Sequence, residues 1–166
     1  MAEHVSRSIP KDAIPPEGLD AITASTFAGH IGLKFSEVGS ERVCGSLTVR
    51  AELLQAANGV VHGGVYCSMI ESLASVGATV SLNGEGHAMG VNNNTDFLRA
   101  TRDGILTGEA IPVFRGRQQQ LWRVVIKNGD GSECAIGQVR LHNVFDKGAF
   151  LRQAVGAGLE SGETSG

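Results

Sequence analysis

The stretch from Gly59 to Val80, GVVHGGVYCSMIESLASVGATV, is apolar or small at almost every position. It runs for about five helical turns, too long for a strand and long enough for a central helix. A helix that is apolar nearly all round has to be covered nearly all round, so the rest of the chain must supply the cover.

The flanking segments can do this. LKFSEV and RVCGSLTVR alternate apolar with polar residues across a turn-like GSE, which predicts a hairpin. After the long helix, HAMGVNNNTDFL, GILTGEAIPVF, QQLWRVVIKN and SECAIGQVRLHNV read as four further strands, with KNGDGSE as the turn between the last two. Ahead of them, EGLDAITASTFAGHIG has Leu19, Ile22 and Phe27 at approximately helical spacing and reads as one short amphipathic helix ending near Gly29 or Gly32. The predicted class is α+β: a curved antiparallel sheet of about six strands wrapped around one long central helix.

A chain of 166 residues, 42% hydrophobic and 19% charged with a formal net charge of −3, can bury one core without metals or disulfides. That balance exerts no bulk pull toward nucleic acid or an anionic membrane surface. Cys44, Cys67 and Cys134 are far apart and form no C-x-x-C pair, which suits free thiols rather than a disulfide framework or zinc. No apolar run reaches the ~18 residues of a membrane span, and the N-terminus lacks a signal-peptide core. The expectation is a cytoplasmic, unanchored protein. Residues 1–16 read as a flexible N-terminal extension, 17–146 as the working domain, and 147–166 as a Gly/Ser/Glu-rich tail.

Within the apolar helix stands one carboxylate, Glu71. Its neighbours at helical spacing are Cys67, Ser68, Ala74 and Ser75, with Gly64 and Ala78 a turn further out, and all are small. A ligand or backbone can therefore come close to it. Burying an ionised carboxylate is costly unless it is paired or hydrogen-bonded. A carboxylate facing solvent at a helix edge, a structural ion pair with a sheet arginine and a catalytic carboxylate all fit that pattern. His62-Gly63-Gly64 precedes the helix, and glycine in a first turn leaves backbone N–H groups free at the positive end of the helix dipole. Such donors can hold an oxyanion, although glycines before a helix can equally just make a turn.

Taken together, VVHGGVYCSMIESLAS resembles the signature of the hot-dog-fold acyl-CoA thioesterases, in the branch holding the PaaI-type and 4-hydroxybenzoyl-CoA thioesterases. The resemblance continues through GVNNNTDFLRA, GEAIPVFRGRQQQLWRVVI and GQVRLHNV. It implies hydrolysis of an aryl- or medium-chain acyl-CoA to free acid and CoA, with no cofactor and no metal. It also implies a homodimer that joins two sheets, and a homotetramer built from such dimers. By the same resemblance, Gly63 provides the N–H that polarises the thioester carbonyl and Glu71 acts as nucleophile or as base toward water. His62 shapes the site, and Ser75 lies beside the carboxylate. The family commonly carries a glutamine six residues before the histidine. Here Ala56 stands at that place and Gln55 one position earlier, so Gln55 reaches the site only if the loop bulges by a residue.

Gly63 and Glu71 are eight residues apart, which on one helix means about 12 Å along the axis. A glutamate side chain spans about a third of that, whereas catalysis needs both groups within ~3 Å of one carbon. If both act, they come from different chains. For the coenzyme end, Arg115, Gly116 and Arg117 in FRGRQ offer forked donors for phosphate, and Gly64, Asn94 and Thr95 are further candidates along the channel. Two other activities are compatible with this kind of site. One is an acyl-CoA-sensing module without turnover, and the other is an enoyl-thioester hydratase or dehydratase, whose histidine motif is differently spaced.

Overall fold

The computed structural model describes residues 15–145. The readings made of residues 1–14 and of 146–166 lie outside the described residues. The first helix starts at Pro16.

The order of elements is α1 (Pro16–Thr23), α2 (Phe27–Ile31), β1 (Lys34–Val38), β2 (Val43–Thr48), α3 (Gly63–Val80), β3 (His87–Phe97), β4 (Ile105–Arg115), β5 (Gln119–Lys127) and β6 (Glu133–Val144), with one short 3-10 turn at Ala51–Leu53. All six predicted strands and the long helix are present. The amphipathic helix expected at the start is two helices. Ala24, Ser25 and Thr26 separate them, and the Thr23 and Thr26 hydroxyls bond back to the carbonyls of Leu19 and Thr23. Hydroxyl side chains that compete for backbone carbonyls weaken a helix in this way. Gly29 then lies so close to the end of α1 that an added Cβ would stand 2.4 Å from the Ala24 carbonyl oxygen. Gly32, at φ +84°, closes α2 in the left-handed conformation.

The strands form one antiparallel sheet in the order β1-β2-β4-β5-β6-β3, so β3 is an edge. Strand alternation gives one face to α3 and the other to the outside. Val124, Ile126, Val139 and Leu141 point inward, while Gln138, Arg140 and His142 are exposed. Helix α3 crosses the inner face with Met69, Ile70, Leu73 and Ala74 fully buried. Burying a side chain of the size of Leu73 contributes about 1.5–3 kcal/mol, and this seam is where most of that gain is concentrated. Close approach depends on glycine at two positions. A Cβ on Gly77 would meet the Trp122 ring at 2.5 Å, and one on Gly108 would meet Leu73 Cδ1 at 2.5 Å.

Helix α3 and strand β3 lie side by side in opposite directions. Thr79 Oγ1 accepts from the Ala88 N–H, Glu71 faces Gly90 and Asn93, and Gly63 faces Phe97. One end of the helix is therefore tied to the far end of the strand.

Candidate active site

Glu71 is half-buried on α3, with its carboxylate turned toward β3. Asn93 Nδ2 donates to Glu71 Oε2 at 3.1 Å and to the Cys67 carbonyl at 3.0 Å, and Asn93 Oδ1 accepts from Thr95 Oγ1 at 2.7 Å. Ser75 Oγ donates to Glu71 Oε1 at 3.5 Å, a long bond. Gly90 makes the pocket for that same oxygen, since a Cβ there would stand 1.9 Å from Oε1. No arginine or lysine pairs with Glu71 among the described residues. The carboxylate is thus held by neutral donors.

The start of α3 is capped by His62. Its Nδ1 accepts from the Gly64 N–H at 3.0 Å, and its carbonyl accepts from the Val65 N–H at 2.9 Å. An imidazole that accepts at Nδ1 while neutral carries its proton on Nε2. The Gly63 N–H is left without an acceptor among the described residues. It stands at the positive end of the helix, the arrangement that suits a developing negative charge.

Gln55 lies beside this end. The strand-like pair Leu54–Val61 brackets a tight loop in which the Gln55 N–H donates to the Val60 carbonyl and the Gly59 N–H to Gln55. Gly59 turns that loop at φ +64°, in the left-handed region. The Gln55 side-chain amide comes within 3.5 Å of the Val61 carbonyl, next to the His62 cap.

A relative in Mycobacterium tuberculosis, the esterase candidate Rv1847, is 50% identical over 121 residues, covering 71% of this chain and 86% of that protein. Its solved structure superposes with a TM-score of 0.70 over 72% of this chain and 97% of that one. Residues 58–135 match the family model of the thioesterase superfamily. This chain belongs to that superfamily and has its hot-dog fold. The family is one of thioester hydrolases, and the chain is an enzyme of that class. Two further hot-dog relatives carry an activity in their names. Escherichia coli 1,4-dihydroxy-2-naphthoyl-CoA hydrolase is 27% identical over 124 residues, 75% of this chain and 90% of that protein. A thioesterase structure from Haemophilus influenzae is 25% identical with a TM-score of 0.76, over 80% of this chain and 92% of that one.

Within this hot-dog scaffold the candidates separate into four places. Glu71, Ser75 and Thr95 share the α3–β3 seam, whereas Gln55, His62, Gly63 and Gly64 share the opposite end of the helix. Asn94 is on neither. It pairs with Gln138 in register and opens onto the outer face of the sheet beside Asn92 and Arg140. Adjacent strand residues point to opposite faces, so Thr95 and Asn94 cannot serve one channel within a chain. The Arg115-Gly116-Arg117 turn sits near the Ala78 end of α3, because Gln120 bonds the Ala78 carbonyl and Asn143 bonds the carbonyls of Gly116 and Arg117. Arg115 is committed to Glu41 and to the Ser40 carbonyl, while Arg117 is exposed. The small-residue stripe also divides, for Ala74 and Ala78 are core while Cys67, Ser68 and Ser75 stay half-open.

Proposed function

We propose that the chain is an acyl-CoA thioesterase that acts on an aryl- or medium-chain acyl group, with Glu71 as its catalytic carboxylate. The observation that carries this reading is the Glu71 carboxylate itself, fixed by neutral hydrogen bonds and set in a glycine-lined recess beside an open sheet edge. Water and acyl-S-CoA give free acid and CoA. Glu71 either attacks the thioester carbon or activates the water that does. A Gly63 N–H holds the oxyanion, a role worth about 3 kcal/mol in the transition state.

The two groups act from different subunits. Strand β3 is eleven residues long, has no neighbour on one side among the described residues, and exposes Met89, Val91 and Phe97. Long open edges of this kind are normally paired or blunted. Antiparallel pairing of β3 with its copy brings the Phe97 end of one strand toward the His87 end of the other. With the partner's Phe97 set opposite Gly90 in that pairing, the partner's Gly63 comes alongside Glu71. This supports a homodimer, with the tetramer as its further association.

The acyl group has a natural place beside the Gly63 end. A cavity of about 280 Å³ opens there between Phe27, Ile31, Leu53, Leu54, His62 and Val65. Its apolar lining suits an aromatic ring or a medium chain. At the coenzyme end, Arg117 meets phosphate from the exposed β4–β5 turn. Related names support a CoA thioester, since the E. coli relative is a naphthoyl-CoA hydrolase.

The test is CoA thiol release from a panel of benzoyl, phenylacetyl, hexanoyl and palmitoyl thioesters, with Glu71→Gln and Glu71→Ala beside the wild type. Turnover of aryl or medium-chain thioesters that disappears in both variants supports the reading. Undiminished turnover in both removes Glu71 from the chemistry.

A further inference from the structure

The Asn93 side chain makes all the hydrogen bonds it can use for orientation. Its two amide hydrogens go to two acceptors, Glu71 Oε2 at 3.1 Å and the Cys67 carbonyl at 3.0 Å. Its oxygen takes the Thr95 hydroxyl at 2.7 Å. Only one assignment of the amide satisfies this set, because a flipped amide would set its oxygen against a carboxylate and a carbonyl. The Cys67 carbonyl and the carboxylate, which can only accept, fix the choice, and the Thr95 hydroxyl braces the oxygen so placed. Both residues face α3 from the same side of β3, two positions apart.

We infer that Asn93, braced by Thr95, is the positioning residue for the Glu71 carboxylate: it grips Oε2 and presses Oε1 into the recess at Gly90. This rests on the role given to Glu71 above and goes beyond it, because neither the helix signature nor the small-residue stripe contains Asn93. Glutamate has three side-chain torsions, and Ser75 at 3.5 Å restrains only one oxygen weakly. The Asn93 amide supplies the second and shorter restraint. It also does so from the strand whose open edge faces the second subunit, so the carboxylate is aligned to the same element that sets the dimer.

The experiment is steady-state thiol release on the full chain, with urea unfolding midpoints measured alongside. Asn93→Asp keeps the shape and the Thr95 bond while replacing the donor by a like charge. It is expected to lower kcat by about 100-fold, the scale of a misplaced reacting group, with KM within about threefold. Asn93→Leu is expected to do the same. Thr95→Val should cost about tenfold in kcat, one hydrogen bond's worth, and Thr95→Ser should recover most of it. A merely structural clamp between β3 and α3 predicts a fallen midpoint and no such split between kcat and KM. Full kcat in the Asn93 variants, with Glu71→Gln inactive, overturns this inference alone. An active Glu71→Gln overturns the reading of Glu71 and this inference with it.

Discussion

Gly90 and Glu71 are in contact across the α3–β3 seam: there is no room for a methyl group between the Gly90 Cα and Glu71 Oε1. A flexible carboxylate can swing out of the way, so Gly90→Ala should fold. It should also displace the reacting oxygen, and kcat is expected to fall by about 100-fold with little change in the urea midpoint. Parallel kinetic and unfolding measurements check both halves. Retained kcat would mean that Oε1 is not the working oxygen.

The open edge of β3 predicts assembly. At micromolar concentration the wild-type chain should sediment as a dimer or larger. Val91→Asp, which puts a charge on the edge, should yield a folded monomer that has lost activity in proportion to the dimer it has lost. A fully active monomer would exclude a shared site.

Gln120 carries a different load. It is 2% exposed, and its amide donates to the Ala78 and Asn143 oxygens while its oxygen accepts from Trp122 Nε1 and Ser81 Oγ. Gln120→Leu would strand several of those groups in the core at once. A loss of about 3 kcal/mol is expected in equilibrium urea unfolding, where each stranded group costs roughly 1–3 kcal/mol.

Gly77→Ala sets two effects against each other. Alanine gains about 1 kcal/mol of helix propensity over glycine. Its methyl would also stand 2.5 Å from a Trp122 ring that is fully buried and hydrogen-bonded in place. Overpacking of that kind costs typically 1–3 kcal/mol, so the variant should be less stable, as thermal unfolding would show.

Burial pushes the Cys44 thiol from 9.0 up to about 11. As pH rises past 9 the unfolded chain gives up that proton first, so the folded state binds more protons and stability falls between pH 9 and about 11. Cys44→Ala should lose less stability over that interval than the wild type, by urea midpoints at pH 8 and 10.5.

The fold was readable because its signals are local. Alternation marks the first two strands, Asn-Gly-Asp-Gly marks the last hairpin, and the apolar run from Val65 to Val80 marks the central helix. The break between α1 and α2 was hidden, since Leu19, Ile22 and Phe27 keep helical spacing across it and only the Gly29 contact with Ala24 shows the turn of the chain. Glu71 stood out as a charge in an apolar helix, and the glycines after His62 as free donors. Asn93 did not, because its value depends on the register between a strand and a helix more than twenty residues apart, which no spacing encodes. Asn94 and Thr95 are adjacent in sequence, yet strand geometry sends the two to opposite faces. Arg115 looked free because its partner, Glu41, is 74 residues away in sequence.

The opposed directions of α3 and β3 have a genetic consequence. In the proposed shared site each chain supplies the Gly63 of one centre and the Glu71 of the other, so two defective alleles need not be equivalent. Coexpressing Glu71→Gln with a chain whose Gly63 is replaced by a bulky residue should restore activity by interallelic complementation. In every mixed pair one site receives both intact halves and the other neither, so neither mutant homodimer can work while a quarter of all sites, those made in the mixed pairs, regain full function.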